Sequence, residues 1–171
     1  MKNKDFTLHL AEFTELSACV QVLAEGRKYQ QSQGFTQWPE GYPSEEDVRQ
    51  DIAAGKGYVL KSGGRICAYF YIDFYDRAYP DIIGAWHCEE PYMVIHRVAI
   101  QDGFRGTGVS GILFSCFEDL AKSKGIYNLR IDTHEKNVPM QRVLSKNGYR
   151  YCGTVVQNNG LRLAYDKRLT R

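Results

Sequence analysis

The chain lacks any apolar run near the ~20 residues that a membrane-spanning helix needs. Its first ten residues carry Lys2, Lys4 and Asp5 and lack the apolar core of a signal peptide. It has little charge of one sign: 22 Lys and Arg face 20 Asp and Glu, a net of +2. That excludes a surface that is strongly basic as a whole, although a local patch does not show in a sum. Neither a membrane nor a nucleic acid is the expected partner. No Cys-x-x-Cys pair is present: the five cysteines, Cys19, Cys67, Cys88, Cys116 and Cys152, are odd in number and far apart. With no secretion signal they read as reduced, mostly buried thiols of a cytoplasmic protein. His9, His87, His96 and His134 show no metal-ligand spacing, so no metal is expected. Internal repeats, linkers and low-complexity segments are absent.

What is present is one ordinary globular domain, residues 1–171. With 43% hydrophobic and 25% charged residues, the chain has enough apolar surface to bury and is not disordered. At 171 residues it supports one real core and is too short for two domains of usual size. Phe6–Leu10 alternates like a strand. Thr14 is placed to cap a helix whose stripe is Leu16, Cys19, Val20, Leu23 and Ala24. A polar, aromatic loop follows over 30–43, with Trp38 and Tyr42. Ser44 and Asp47 form a capping signal for a second helix that stops near Gly55.

Tyr58–Lys61 and Arg65–Phe74 then read as a hairpin turning at Ser62-Gly63-Gly64. Residues 75–91 form a long irregular connection, and Tyr92–Ile100 is a strand apolar on both faces apart from His96 and Arg97. The best helical stripe follows, from Val109 to Ala121, ended by Gly125. Ile126–Asp132 is another strand. Asn137 caps a short helix that ends at Gly148. Tyr149–Val156 and Leu161–Lys167 close as a hairpin around Asn159-Gly160. The order β-α-α-β-β-β-α-β-α-β-β makes a mixed α/β sheet protein.

One segment carries chemistry outright. Arg105-Gly106-Thr107-Gly108-Val109-Ser110-Gly111 lies between a buried strand and the best helix. Backbone amides at a helix N-terminus hold anionic phosphate oxygens. Glycine lets a phosphate approach without a Cβ in the way, and Arg105 adds a cation. Gly106, Gly108 and Gly111 also match G-x-G-x-x-G, with Asp132 about 20 residues on, as in dinucleotide-binding oxidoreductases. Against that, residues 101–105 separate strand from glycines, and the preceding elements do not repeat βαβ.

A second pattern fits better. Val98-Ala99-Ile100, Arg105-x-x-Gly108-x-Ser110 opening a helix, a strand ending at Asp132-Thr133-His134, and Asn137 opening the next helix resemble the GNAT acetyltransferase superfamily. Gly148-Tyr149 resembles its Gly-Phe, and Ser110 stands where the motif usually has Gly or Ala. The resemblance implies a central, mixed, mostly antiparallel twisted sheet of about seven strands flanked by about four helices. It implies acetyl-CoA as donor and a primary amine of a small molecule or peptide as acceptor, joined by direct attack in a ternary complex. Val98, Ala99 and Ile100 would bind pantetheine as an added strand. Arg105, Gly106, Thr107, Gly108, Val109, Ser110 and Gly111 would hold the pyrophosphate, and Asn137 the pantetheine.

The reaction needs a neutral amine, because a lysine-like amine has a pKa of about 10.4. Many relatives carry a carboxylate four residues before the Ile100 position; here that residue is His96, a competent base. By alternation His96 should share a face with Val98 and Ile100, and Arg97 should face away. A backbone amide near Val98 would hold the oxyanion. The tyrosine that protonates the leaving thiolate in many relatives corresponds to Leu144, two turns beyond Asn137 along one expected face; Tyr149 and Tyr151 are near in sequence. Trp38, Tyr42 and His134 are candidates for the acceptor site, His134 also as an alternative base. Acidic residues around 73–90 could attract a cationic amine. The missing tyrosine keeps open a CoA-binding sensor without catalysis. Sheet edges leave a homodimer open.

Overall fold

A computed structural model describes residues 6–158 and 160–171. Strands β1 (Phe6–Leu10), β2 (Gly57–Ser62), β3 (Arg65–Asp73), β4 (Ile83–Gly84), β5 (Met93–Ile100), β6 (Asn128–Thr133), β7 (Arg150–Gln157) and β8 (Gly160–Arg168) form one sheet. Its order is β1-β2-β3-β5-β6-β8-β7-β4, and β5–β6 is the parallel pair among antiparallel ones. Helices α1 (Leu16–Ser32), α2 (Glu45–Ala53), α3 (Val109–Ser123) and α4 (Val138–Lys146) cover it. The expected mixed, mostly antiparallel architecture is present. The eighth strand, β4, is two residues inside the segment that reads as irregular, too short to leave a period-two pattern. Asn159, half of the turn expected at 159–160, lies outside the described residues.

Local chemistry explains most boundaries. Ser44 accepts from Asp47 N–H while Asp47 accepts from Ser44 N–H, a reciprocal capping box that starts α2. Asn137 caps α4 by accepting from Met140 N–H at 3.2 Å. The start of α1 differs from expectation. A single 3-10 turn, Phe13–Glu15, is capped by Glu12, and the helix begins at Leu16 rather than after Thr14. Its buried face is Cys19, Val22, Leu23, Gly26 and Gln30, rotated from the expected stripe; at Gly26 a Cβ would stand 3.0 Å from Ala99 Cβ and 3.1 Å from the Trp38 ring, so only glycine lets the helix lie this close.

Two apolar layers clamp the sheet. Under α3 and α4 lie Phe70, Ile95, Leu113, Phe117, Leu129 and Leu144. Under α1 and α2 lie Cys19, Leu23, Trp38, Val48, Val59, Tyr69 and Ala99. Burying a side chain such as Phe117 is worth about 2–3 kcal/mol, so these layers dominate the stability. Among the described residues no helix is long and apolar enough to cross a membrane.

Candidate functional site

Strands β5 and β6 pair only from Met93↔Leu129 to Ile95↔Ile131. Beyond Ile95, β5 stays with β3 and β6 stays with β8, so the two strands part toward their C-termini. The carboxyl ends of parallel strands are where ligands enter such sheets. Helices α3 and α4 begin just beyond these ends, which brings the positive ends of their dipoles to the opening. The result is a cleft with two lobes that share Gln30, Val98, Asn137 and Met140.

The smaller lobe, about 290 Å³, is lined by Val98, Ala99, Ile100, Arg105, Gly106, Gly108, Val109, Ser110 and Asn137. Of the residues expected to hold the donor, Thr107 and Gly111 are outside its lining. Gly106 and Gly108 adopt φ of +74° and +88°, and a Cβ on either would meet no atom within 4 Å. The glycines therefore serve conformation, and open space lies before them. Gly108 ends the loop as the N-cap of α3; the Val109 and Ser110 amides have no acceptor within the helix, while Gly111 N–H donates to Gly108 O at 3.1 Å. Arg105 is held in place: it donates to Ile100 O at 2.9 Å, pairs with Asp102, and lies 4.5 Å from the Tyr29 ring centre. Between the strand and the glycines sits a 3-10 turn, Asp102–Phe104, where a dinucleotide fingerprint wants a direct turn.

The larger lobe, about 470 Å³, is walled by Trp38, Tyr42 and Tyr71 and carries Asp76, His96, Arg97, Asp132 and Arg162. Here the expected strand parity fails. Tyr71 pairs with His96 but Tyr69 pairs with Ala99, so β5 holds one extra residue, and Arg97 takes φ 55°. The bulge resets the faces. Ile95, Val98 and Ile100 pack on the α3–α4 side, while His96 shares the opposite face with Ala99. Arg97 does not face away: both it and His96 line the larger lobe.

His96 is set between two carboxylates. Its Nε2 is 2.7 Å from Asp76 Oδ2, and its Nδ1 is 3.8 Å from Asp132 Oδ2. Burial favours the neutral ring, but the hydrogen bond to Asp76 and the charges of Asp132 and Asp76 outweigh it. The pKa is raised above the usual 6.5, with Arg97 opposing. Asp76 is itself held low: burial pushes its pKa up, and the His96 bond and charge pull it further down. Tyr79 O–H donates to Asp132 at 2.9 Å, and Gln157 Nε2 donates to both Asp76 and Asp132 at 3.1 Å. Of the acidic residues at 73–90 that surround the long connection, only Asp76 reaches the cleft. Asp73 pairs with Lys56 and Glu90 with Arg168.

The other candidates fall as follows. Trp38 is buried and on the wall, and Tyr42 accepts from Arg97 Nε at 3.3 Å. His134 is outside both linings. Its ring stacks on Phe35 at 5.5 Å, its Nδ1 accepts from Lys136 N–H, and burial together with Arg162 lowers its pKa. Asn137 Nδ2 donates to Gln37 Oε1 at 3.3 Å besides capping α4. Leu144 is fully buried in the core, and Met140 and Val143 present α4 to the smaller lobe instead. Asn137 precedes the helix, so counting whole turns from it misplaces the face. Tyr149 is buried against Phe114, and Tyr151 is exposed; neither lines the cleft.

Sequence reasoning missed Tyr79 and Gln157, which lie in or after irregular segments, placed Asp76 only among loop carboxylates able to attract a cationic amine, and gave Asp132 a different role. It also missed a second convergence. His87, Cys152 and Asp166 meet with Nδ1–Oδ1 at 2.9 Å and Sγ–Nδ1 at 3.3 Å, and His87 N–H donates to Asp166. Together they fasten the segment before β5 to β7 and β8.

Comparison with known proteins bears on the same cleft. The family model described as the acetyltransferase (GNAT) family matches residues 23–149. An acetyltransferase of the GNAT family from Streptococcus agalactiae is 34% identical with a TM-score of 0.87, covering 97% of this chain and 96% of that one. Another from Listeria monocytogenes is 19% identical with a TM-score of 0.74, covering 96% and 95%. A ribosomal L7/L12 alpha-N-protein acetyltransferase in complex with coenzyme A is 14% identical with a TM-score of 0.67, covering 96% and 94%. The last two show likeness of fold alone. No curated protein matches the chain in sequence.

Proposed function

The chain belongs to the acetyltransferase (GNAT) family, and from that premise we propose that it moves an acetyl group from acetyl-CoA to a primary amine of a small molecule or peptide. The setting is the cytoplasm, the whole chain acts as one domain, and no metal takes part. The observation that carries this reading is the two-lobed cleft, with a glycine-lined helix start in one lobe and a basic side chain in the other.

The pyrophosphate of acetyl-CoA would meet the amides of Gly106 to Gly111 and the α3 dipole. Beyond Ile95 the β5 edge that faces β6 has no strand across from it among the described residues. That edge suits a pantetheine arm bound through Val98–Ile100 as an added strand. The thioester then lies where the lobes join, beside Val98, whose backbone amide serves the developing oxyanion. The acceptor enters the larger lobe against Trp38 and Tyr42. His96 takes a proton from the amine, the amine nitrogen attacks the thioester carbon, and the C–S bond breaks with its electron pair on sulfur. With Leu144 in the core, the thiolate leaves without a tyrosine donor, which a thiol pKa of about 8.5 permits.

Calorimetric titration with acetyl-CoA and with NAD, followed by thiol release over a panel of primary amines, tests the reading. Binding of acetyl-CoA with amine-dependent thiol release is expected. Binding without release for any amine would make the protein a CoA sensor, and binding of NAD alone would overturn the donor assignment.

A further inference from the structure

Resting on the transferase reading, we propose that the acceptor enters as an ammonium cation received between His96 Nδ1 and the Asp132 carboxylate, with Asp76 as the residue that positions the His96 ring. Three features point there. First, Asp76 Oδ2 can only accept from His96 Nε2 at 2.7 Å, so in the neutral ring the hydrogen is on Nε2 and the lone pair is on Nδ1. Asp76 is rigid in turn: it also accepts from Ala78 N–H at 2.7 Å and from Gln157 Nε2 at 3.1 Å.

Second, the free nitrogen faces a carboxylate across a gap. His96 Nδ1 and Asp132 Oδ2 are 3.8 Å apart, beyond hydrogen-bond length. An ammonium group beside that gap can donate to His96 Nδ1 and, with a second hydrogen, to Oδ1 of the same carboxylate. Tyr79 and Gln157 both donate to Oδ2, which fixes the Asp132 carboxylate and leaves Oδ1 as its open acceptor.

Third, the local charge calls for a cation. With the ring neutral, Asp76 and Asp132 leave two negative charges around it. The groups that face His96 are these two carboxylates, Arg97 from its own strand, and the Tyr71 and Tyr79 rings at 6.3 and 6.1 Å. Arg97 is held by Asp51 at 2.5 and 2.6 Å, and Arg162, the other cation lining the lobe, offsets the Asp132 charge only in part, which leaves the Asp76 charge to be met. In the empty site a proton on His96 fills the need, in keeping with its raised pKa. The acceptor cation and that proton therefore compete.

The step balances. The neutral ring takes one proton from the ammonium at Nδ1, and the freed amine attacks the thioester. The C–N bond forms, the C–S bond breaks, and the amide nitrogen's second proton goes to the CoA thiolate. His96 later returns its proton to water.

The test uses the best amine from the thiol-release panel. Asp132→Asn, which keeps shape and loses charge, is expected to raise the acceptor KM at least tenfold. Its kcat should fall less, and its acetyl-CoA affinity should stay within twofold. Asp132→Glu should recover part of the loss, and it serves as the charge-retaining variant if Asp132→Asn does not fold. Asp76→Asn should lower kcat and move the acidic limb of kcat/KM to lower pH, which a merely structural role would not do. For the wild type, acceptor KM should fall as pH rises through that limb. Nitrogen-15 NMR of the histidine rings, in the protein without ligands, should show His96 as the Nε2–H tautomer once neutral. An acceptor KM within twofold for folded Asp132→Asn, or an Nδ1–H tautomer, overturns the proposal while leaving the transferase reading intact. Thiol release from no amine overturns both.

Discussion

Arg97 leaves the β5 bulge and closes on both carboxylate oxygens of Asp51 in α2, at 2.5 and 2.6 Å. Asp51 is buried and also accepts from Tyr69 O–H at 2.7 Å. The pair ties α2 to the strand that carries His96, so it fixes the floor of the larger lobe. Removing one partner of a buried pair leaves the other uncompensated, at a cost of about 3–5 kcal/mol. Asp51→Ala should lose about that much in urea unfolding. A loss below about 1 kcal/mol would mean that water enters and screens Arg97.

Gly108→Asp tests the phosphate loop. A Cβ there has room but must adopt φ +88°, which costs about 1–2 kcal/mol. The new carboxylate would stand at the helix start where a pyrophosphate is expected. The variant should stay folded by circular dichroism and lose at least about tenfold in acetyl-CoA affinity, a change of ~1.4 kcal/mol. Unchanged affinity would remove the loop from the donor site.

Leu144→Tyr should not supply the missing proton donor. Leu144 is fully buried among the α3–α4 core residues, and a larger ring overpacks it by about 1–3 kcal/mol. Thermal unfolding should show that loss, with no gain in turnover. A faster enzyme of unchanged stability would place position 144 on the cleft.

Cys19 and Cys152 should be slow to alkylate. Burial, with Glu15 beside one and Asp166 beside the other, pushes both thiols up to about 12. Against an ordinary thiol of about 8.5, the thiolate fraction at pH 8 falls by roughly three powers of ten. Mass spectrometry after iodoacetamide should find both unmodified until the chain is unfolded. Labelling at the rate of a free cysteine would contradict the burial.

Much of this was legible in the residues, because it is written in local chemistry. The Ser44–Asp47 capping box, the Asn137 cap, the stripe of α3 and the glycine loop each act within a few positions, and each lies where the pattern puts it. The bulge at Arg97 was not legible. Alternation assumes an unbroken ladder, and the extra residue is visible only when β3 is laid beside β5. The same limit hid how the site's charges converge. Asp76, His96, Asp132 and Gln157 come from four separate segments, and only the closed sheet brings them together. Trp38 and Tyr42 line the larger lobe, in the loop between the first two helices where the family resemblance puts acceptor-site residues, whereas the stacking of His134 on Phe35 has no local signature.

The most direct measurement is kcat of His96→Ala with an accepted amine at pH 7, beside the acetyl-CoA affinity of the same variant. Because both flanking carboxylates hold the ring's pKa above 6.5, wild-type activity should rise with pH through a value above 6.5. Removing the ring should abolish that limb and lower kcat by about 10²–10⁴-fold, the usual share of general-base catalysis. Acetyl-CoA affinity should stay within a few-fold. His96→Glu should recover part of the rate. A kcat within about threefold of wild type for a folded His96→Ala, with the pH limb unchanged, would contradict the account.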